Sequence, residues 1–173
     1  MKKKYWFIII ASLLLLLIGT TSLSLKKTGE RPTNEYPLTK ELRQRIANET
    51  QGLDEAGMVQ YSLRLTDELL DFSEVNNINN GKANCVGYAL LCSSICNYGL
   101  SVNQLEGRCK PVVGYVTCGG INMCSALKWI VSKKYTSFVK DHDFVEYDLK
   151  SMVIYFDPTL HDLINYNAMT SAK

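Results

Sequence analysis

The order of the hydrophobic periodicities constrains this chain most. Apolar residues recur at helical spacing up to about residue 97, and after residue 112 they fall in short runs rich in β-branched and aromatic types. Met58, Tyr61, Leu65, Leu69 and Phe72 trace one face of a 3.6-residue helix, so a helix over 54–72 should bury that stripe. A shorter helix, capped by Thr39, is expected to run to residue 47. A third should start at about Asn84 and end near Asn97, with Gly99 as its stop signal. Residues 76–80, four asparagines and an isoleucine, read as a loop. Beyond them lie a strand over 112–116, a turn at Gly119-Gly120 and a helical preference over 125–134. Residues 144–149 and 152–156 then read as two strands of a hairpin. Helices first and strands later give an α+β domain, and 173 residues suffice for one such domain with a real core.

The front of the chain is of another kind. Lys2, Lys3 and Lys4 precede an apolar block over residues 5–18, and no charge returns until Lys26. A basic start followed by an apolar block is the export pattern. The block has signal-peptide length, while the uncharged run to Leu25, at about 1.5 Å per residue, is just long enough to span a bilayer. Both a leader cleaved near Ser22 or Ser24 and an uncleaved anchor, with Tyr5 and Trp6 at the interface, fit this pattern. The expected division is therefore a signal peptide or transmembrane anchor over 1–25, a polar spacer over 26–38 and a domain over 39–173. The destination is the cell envelope, either membrane-anchored or periplasmic/extracellular. The five lysines at 2, 3, 4, 26 and 27 outweigh the formal charge of +2, so the body of the chain carries about −3. A mildly acidic body argues against nucleic acid, which needs a concentrated basic surface.

Three segments carry chemistry: Gly-Lys-Ala-Asn-Cys-Val-Gly-Tyr-Ala (81–89), Lys-Asp-His-Asp-Phe-Val-Glu-Tyr (140–147) and Tyr-Phe-Asp-Pro-Thr (155–159). They put Cys85 at the opening of a helix, His142 on a strand and Asp157 at the end of the next strand. The thiolate is the reactive form of a cysteine, and a helix N-terminus or nearby imidazolium stabilises that anion. An imidazole can move the proton, and a carboxylate can hold the ring in its useful tautomer. The pairing of the last two is testable on paper. If Asp148 pairs with Ser151 across a Leu149-Lys150 turn, the constant index sum of an antiparallel hairpin sets His142 opposite Asp157, with both side chains on one face. A slip of one residue would separate them. Taken singly, Cys85 would read as a buried small hydrophobe and His142 as a structural histidine. Their order and compatible register favour the joint reading.

These segments resemble the three blocks of the transglutaminase-like superfamily of papain-related thiol enzymes. Those blocks read Gly-x-Cys with an aromatic residue and an alanine following, His-x-Trp, and Asp-Pro-Thr. The resemblance covers roughly residues 55–165 and implies helices packed on a small antiparallel sheet. Carried over position by position, it makes Cys85 the nucleophile, His142 the base and Asp157 the orienting acid. Phe144 stands where tryptophan is usual, and Ala83 replaces the glycine two before the cysteine. The Cys85 backbone amide would serve as one oxyanion donor, with Asn84 and Gln60 as side-chain candidates. The resemblance implies no cofactor and no metal, and a peptide, protein or cell-wall amide as substrate partner. The membrane is a further partner if the N-terminal segment is uncleaved.

Cys92 and Cys96 share the inner face of the Cys85 helix and read as core packing. Cys118 and Cys124 straddle the Gly119-Gly120 turn and suit a disulfide in an oxidising compartment. A zinc site from Cys109, Cys118, Cys124 and His142 is the sharper alternative. It lacks the Cys-x-x-Cys spacing such sites usually show. His161 is expected in a surface loop. The leading expectation is thus an exported cysteine-dependent amide hydrolase or acyltransferase. The alternative is a membrane-tethered, non-catalytic interaction module on the same scaffold, because fold does not guarantee chemistry.

Overall fold

Each described α-helix begins at a residue whose side chain caps it, the usual way to satisfy the first backbone N–H groups of a helix. The computed structural model describes residues 23–31, 35–118, 121–122, 141–165 and 170–172. In it Thr39 caps helix α1 (Lys40–Glu49) and Asp54 caps α2 (Glu55–Leu69). Asn84 caps α3 (Cys85–Val102), and Asp157 caps α4 (Pro158–Ile164), whose first residue is a proline. Proline suits that position because its missing N–H would have no partner there. The stripe is buried at Met58, Tyr61 and Leu65, at most 4% exposed, but the helix ends at Leu69, and Phe72, expected on it, lies in a short strand.

Helix α3 runs one turn further than its sequence indicates. Gly99 lies inside it, where a Cβ would come within 2.3 Å of the Met58 sulfur. The glycine serves the close approach of α2 to α3, not a helix stop. Of the described helices, α3 alone is long and apolar enough to cross a membrane, but it is the buried core helix.

The main sheet has the order β1-β4-β6-β7-β8, with β5 (Ile121–Asn122) pairing β4 off this path. Its other strands are β1 (Leu23–Glu30), β4 (Arg108–Cys118), β6 (His142–Asp148), β7 (Val153–Phe156) and β8 (Thr170–Ala172). All the pairings are antiparallel. Two short parallel strands, β2 (Asp71–Phe72) and β3 (Lys82–Ala83), close off the asparagine-rich loop between α2 and α3. Helix and sheet meet in a core of Met58, Val59, Leu63, Ala89, Leu100, Val145, Tyr147 and Phe156, among others. Full burial of each large apolar side chain there is worth on the order of 1.5–3 kcal/mol. The architecture is mixed helix and antiparallel sheet.

Two expectations need correction. Residues 26–30, read as the start of a spacer, belong to strand β1, which pairs with β4 from Leu23↔Cys118 to Glu30↔Val112. Their charges did not signal a strand because their partners lie far along the chain, as with Lys27 and Glu146. The hairpin register also differs. Asp148 pairs with Val153 and Val145 with Phe156, two places from the expected register. Lys150 adopts a left-handed φ of 63°, and its N–H is held by the Asp148 carboxylate at 2.9 Å, which centres the turn on Lys150 and Ser151. A slip of two residues keeps every side chain on its face. The anchor segment before residue 23, the Gly119-Gly120 turn and residues 125–134 lie outside the described residues.

Candidate active site

Cys85 is the first residue of α3. The Asn84 side chain accepts from the Val86 N–H at 3.1 Å, and the Asn84 N–H donates to the Asn76 side chain at 2.9 Å. The loop therefore presses on the first turn of the helix. At Gly87 a Cβ would lie 2.6 Å from both the Ala83 side chain and the Asn76 carboxamide oxygen, so only glycine fits this contact. The thiol of Cys85 lies beside the ring of His142, near enough to act on its charge.

His142 opens β6, opposite Gly114 of β4. Its Nε2 bonds Asp157 Oδ2, while Asp157 Oδ1 accepts from the N–H groups of Thr159 and Leu160 at 2.9 and 3.1 Å. One carboxylate thus caps α4 and orients the imidazole. With Nε2 committed to Asp157, Nδ1 is the ring nitrogen that can serve the thiol. Burial by itself would lower the His142 pKa; the adjoining Asp157 charge and the contact with Cys85 outweigh it and raise the value. The structure therefore brings Cys85, His142 and Asp157 together. The expected neighbours of the hairpin are diagonal, and Asp157, just past the end of β7, bridges the offset. Phe144 lies on the same face, its ring 6.4 Å from that of His142 and edge-on to Tyr155 at 5.4 Å.

The sequence reading missed what holds β6 in place. Arg31 Nε lies 3.0 and 2.9 Å from the two oxygens of Asp143, and its Nη2 lies 2.8 Å from Asp141. Asp143 sits beside His142 in the chain, and burial raises its pKa against the pull of Arg31. Further along the strand, Lys27 and Lys110 hold Glu146 at 2.8 and 3.0 Å. The segment from Leu23 to Arg31 is therefore bound by pairing and by charge to the strands that carry and flank His142. No local signal marks the contacts of Lys27 and Arg31, since each joins residues 110 or more apart.

The other candidates separate from this cluster. Gln60 is exposed and lines a cavity with Tyr61, Arg64 and His161, away from Cys85. The Asn84 side chain is engaged in capping α3 and in a 3.5 Å contact to the Glu74 carbonyl. His161 lies in α4, not in a loop, and its Nδ1 bonds Asp67 of α2. Beside it, the Tyr88 hydroxyl donates to Asp162 at 2.6 Å and lies 3.0 Å from the Leu70 carbonyl, tying α3 to α4. Of the residues of the zinc alternative, Cys109 meets the sulfur of Cys96 and His142 meets Asp157. Cys124, needed for both that site and the Cys118 disulfide, lies outside the described residues. Among the described residues no group of three His, Cys, Asp or Glu side chains is arranged to hold a metal.

No protein-family model, curated protein or solved structure matches this chain.

Proposed function

We propose that this chain is an exported thiol enzyme of transglutaminase-like type that hydrolyses or transfers acyl groups at amide bonds. The observation that carries the reading is the placement of Cys85, at the start of a helix, beside a buried His142 that is itself bonded to Asp157. The motif resemblance and the mixed helix and antiparallel-sheet architecture support it; the apolar block behind three lysines supports export.

The chemistry follows from the partners. The working pair is a Cys85 thiolate beside a His142 imidazolium, whose positive charge Asp157 stabilises. Sγ attacks the carbonyl carbon, and charge develops on the carbonyl oxygen. As the first residue of α3, Cys85 has a backbone N–H with no acceptor within the helix, and it serves as a donor to that oxygen. Collapse breaks the C–N bond as His142 gives its proton to the leaving amine. The neutral imidazole then takes a proton from water or from an acceptor amine, which attacks the thioester and expels the thiolate. Water gives hydrolysis, and an amine gives transfer.

One observation favours the second reading, a tethered interaction module without catalysis. Cys85 and His142 are only 6% and 1% exposed. Labelling with a thiol-directed electrophile separates the two. An enzyme gives fast modification of Cys85 that slows when His142 is replaced by alanine. Equal and slow modification of every cysteine supports the module and sinks the enzyme reading. A peptide-amide library with and without an added amine then distinguishes hydrolysis from transfer.

A further inference from the structure

Cys92 and Cys96 lie one turn apart on α3, but their sulfurs have different partners. Cys92 is met by the hydroxyls of Thr66 and Ser62 on α2, and burial raises its pKa. Cys96 instead faces Cys109 of β4, with the two sulfurs 2.9 Å apart. Both residues are almost fully buried, at 0% and 2% exposure. Asn97, next to Cys96, holds the backbone of Cys109 from both sides. Its side-chain oxygen accepts from the Cys109 N–H at 2.7 Å, and its amide donates to the Cys109 carbonyl at 2.9 Å. The clamp fixes helix against strand at a place where two thiols meet across the interface. Less than about 1 Å of sulfur movement separates this contact from a bond of about 2.05 Å.

We propose that Cys96 and Cys109 are joined as a disulfide while the chain folds in an oxidising compartment, stapling α3 to the central sheet. One thiolate displaces a thiol from a donor disulfide, such as glutathione disulfide or a protein disulfide donor. The second attacks the resulting mixed disulfide. The two cysteines lose two electrons and two protons, and the donor leaves as two thiols. The exchange precedes burial, because in the folded protein both thiols are inaccessible and burial suppresses ionisation of Cys109. The staple acts on the candidate site indirectly. Cys85 and Cys96 share α3, while Cys109 lies on β4, which pairs with the His142 strand at Gly114. Fixing helix to strand therefore fixes the approach of Cys85 to His142. Only the compartment rests on the proposed export of the chain; the pairing rests on the geometry.

The test is a thiol map of the full chain. Reduced and unfolded protein is refolded in detergent with reduced and oxidised glutathione, and native circular dichroism is confirmed. The protein is then unfolded in denaturant at acid pH, its free thiols are blocked with N-ethylmaleimide, and it is digested without reductant. The expected product joins the Cys96 and Cys109 peptides at a mass two hydrogens below their sum, and reduction lowers the melting temperature by several degrees. Native-like protein with both cysteines blocked by maleimide, or with Cys96 joined to any other cysteine, overturns the pairing. The same map on protein isolated directly from the exported fraction needs no refolding and decides the point independently. Fast labelling of Cys85 in a protein without the link refutes the staple and leaves the thiol-enzyme reading standing. The link in a protein whose Cys85 is inert does the reverse.

Discussion

The two ends of the cysteine row on α3 differ in every respect except burial. Cys85, Cys92 and Cys96 are 6%, 0% and 0% exposed, so access to water does not distinguish them. Partners do. Cys85 meets an imidazole charged by its carboxylate neighbour, in the first turn of the helix where unpaired N–H groups favour an anion. Cys92 and Cys96 lie further along, among hydroxyls, apolar side chains and a third thiol, and burial opposes ionisation of Cys92 and of Cys109, the thiol facing Cys96. One residue type on one helix is thus a candidate nucleophile at one end and core filling at the other. Electrostatic surroundings, not burial, separate the two roles.

The most severe way to break that comparison is Cys85→Ala. It should remove fast electrophile labelling and reduce amide turnover by about 10³-fold or more. Cys92→Ala should leave both unchanged while lowering stability by about 1–2 kcal/mol through the void it creates. Equal losses of turnover in the two variants would erase the distinction.

Asp157→Asn should come next, at about 10²-fold or more in turnover. Asparagine caps helices about as well as aspartate, so α4 and the melting temperature should be nearly unaffected. The amide cannot stabilise the imidazolium, so the reactive end loses its charge while the fold keeps its cap. A large drop in melting temperature with unaltered turnover would reassign Asp157 to capping alone.

The candidate site was legible because each member stands in its own local pattern: a cysteine after a capping asparagine, a histidine at a strand start, an aspartate before proline. Their meeting survived an error in register, since the two-residue slip preserved the face. What was not legible is non-local. Strand β1 looked like a spacer because Lys27 and Glu30 find their partners, Glu146 and Lys110, across the sheet. Arg31 carried no signal of Asp143 for the same reason. Gly99 resembles a helix stop in the sequence because its cause, the Met58 side chain, belongs to another helix. The Asp-Pro pair does carry a readable signal of a helix start, because aspartate caps α4 and proline suits its first position.

Smaller effects sharpen the comparison at its supports. Arg31→Ala leaves the buried Asp143 carboxylate without its guanidinium and should cost about 2 kcal/mol of stability. It should also slow Cys85 labelling, because β6 carries both Asp143 and His142. Removing residues 1–38 should be worse than Arg31→Ala, since it deletes β1 as well and bares the edge of β4. A truncated chain as stable as the full one would restore the spacer reading. At the opposite end, Gly99→Ala drives a Cβ into Met58 and should cost about 1–3 kcal/mol, with labelling of Cys85 unchanged.

The smallest effect separates the two ends by pH. The folded pKa of His142 is raised, so its contribution to stability is complete below the unfolded imidazole value of about 6.5 and is lost as pH rises through the folded value. Burial also raises the folded pKa of Cys92 and Cys109. Their contribution therefore remains complete up to the unfolded thiol value of about 8.5 and fades only above it. Between these values only the His142 end titrates in this way. Urea unfolding across that window should show stability falling by roughly 1 kcal/mol as pH rises. The slope should flatten in His142→Asn and persist in Cys92→Ala. A fall that survives His142→Asn would place the titrating group elsewhere and remove the electrostatic contrast between the two ends of the helix.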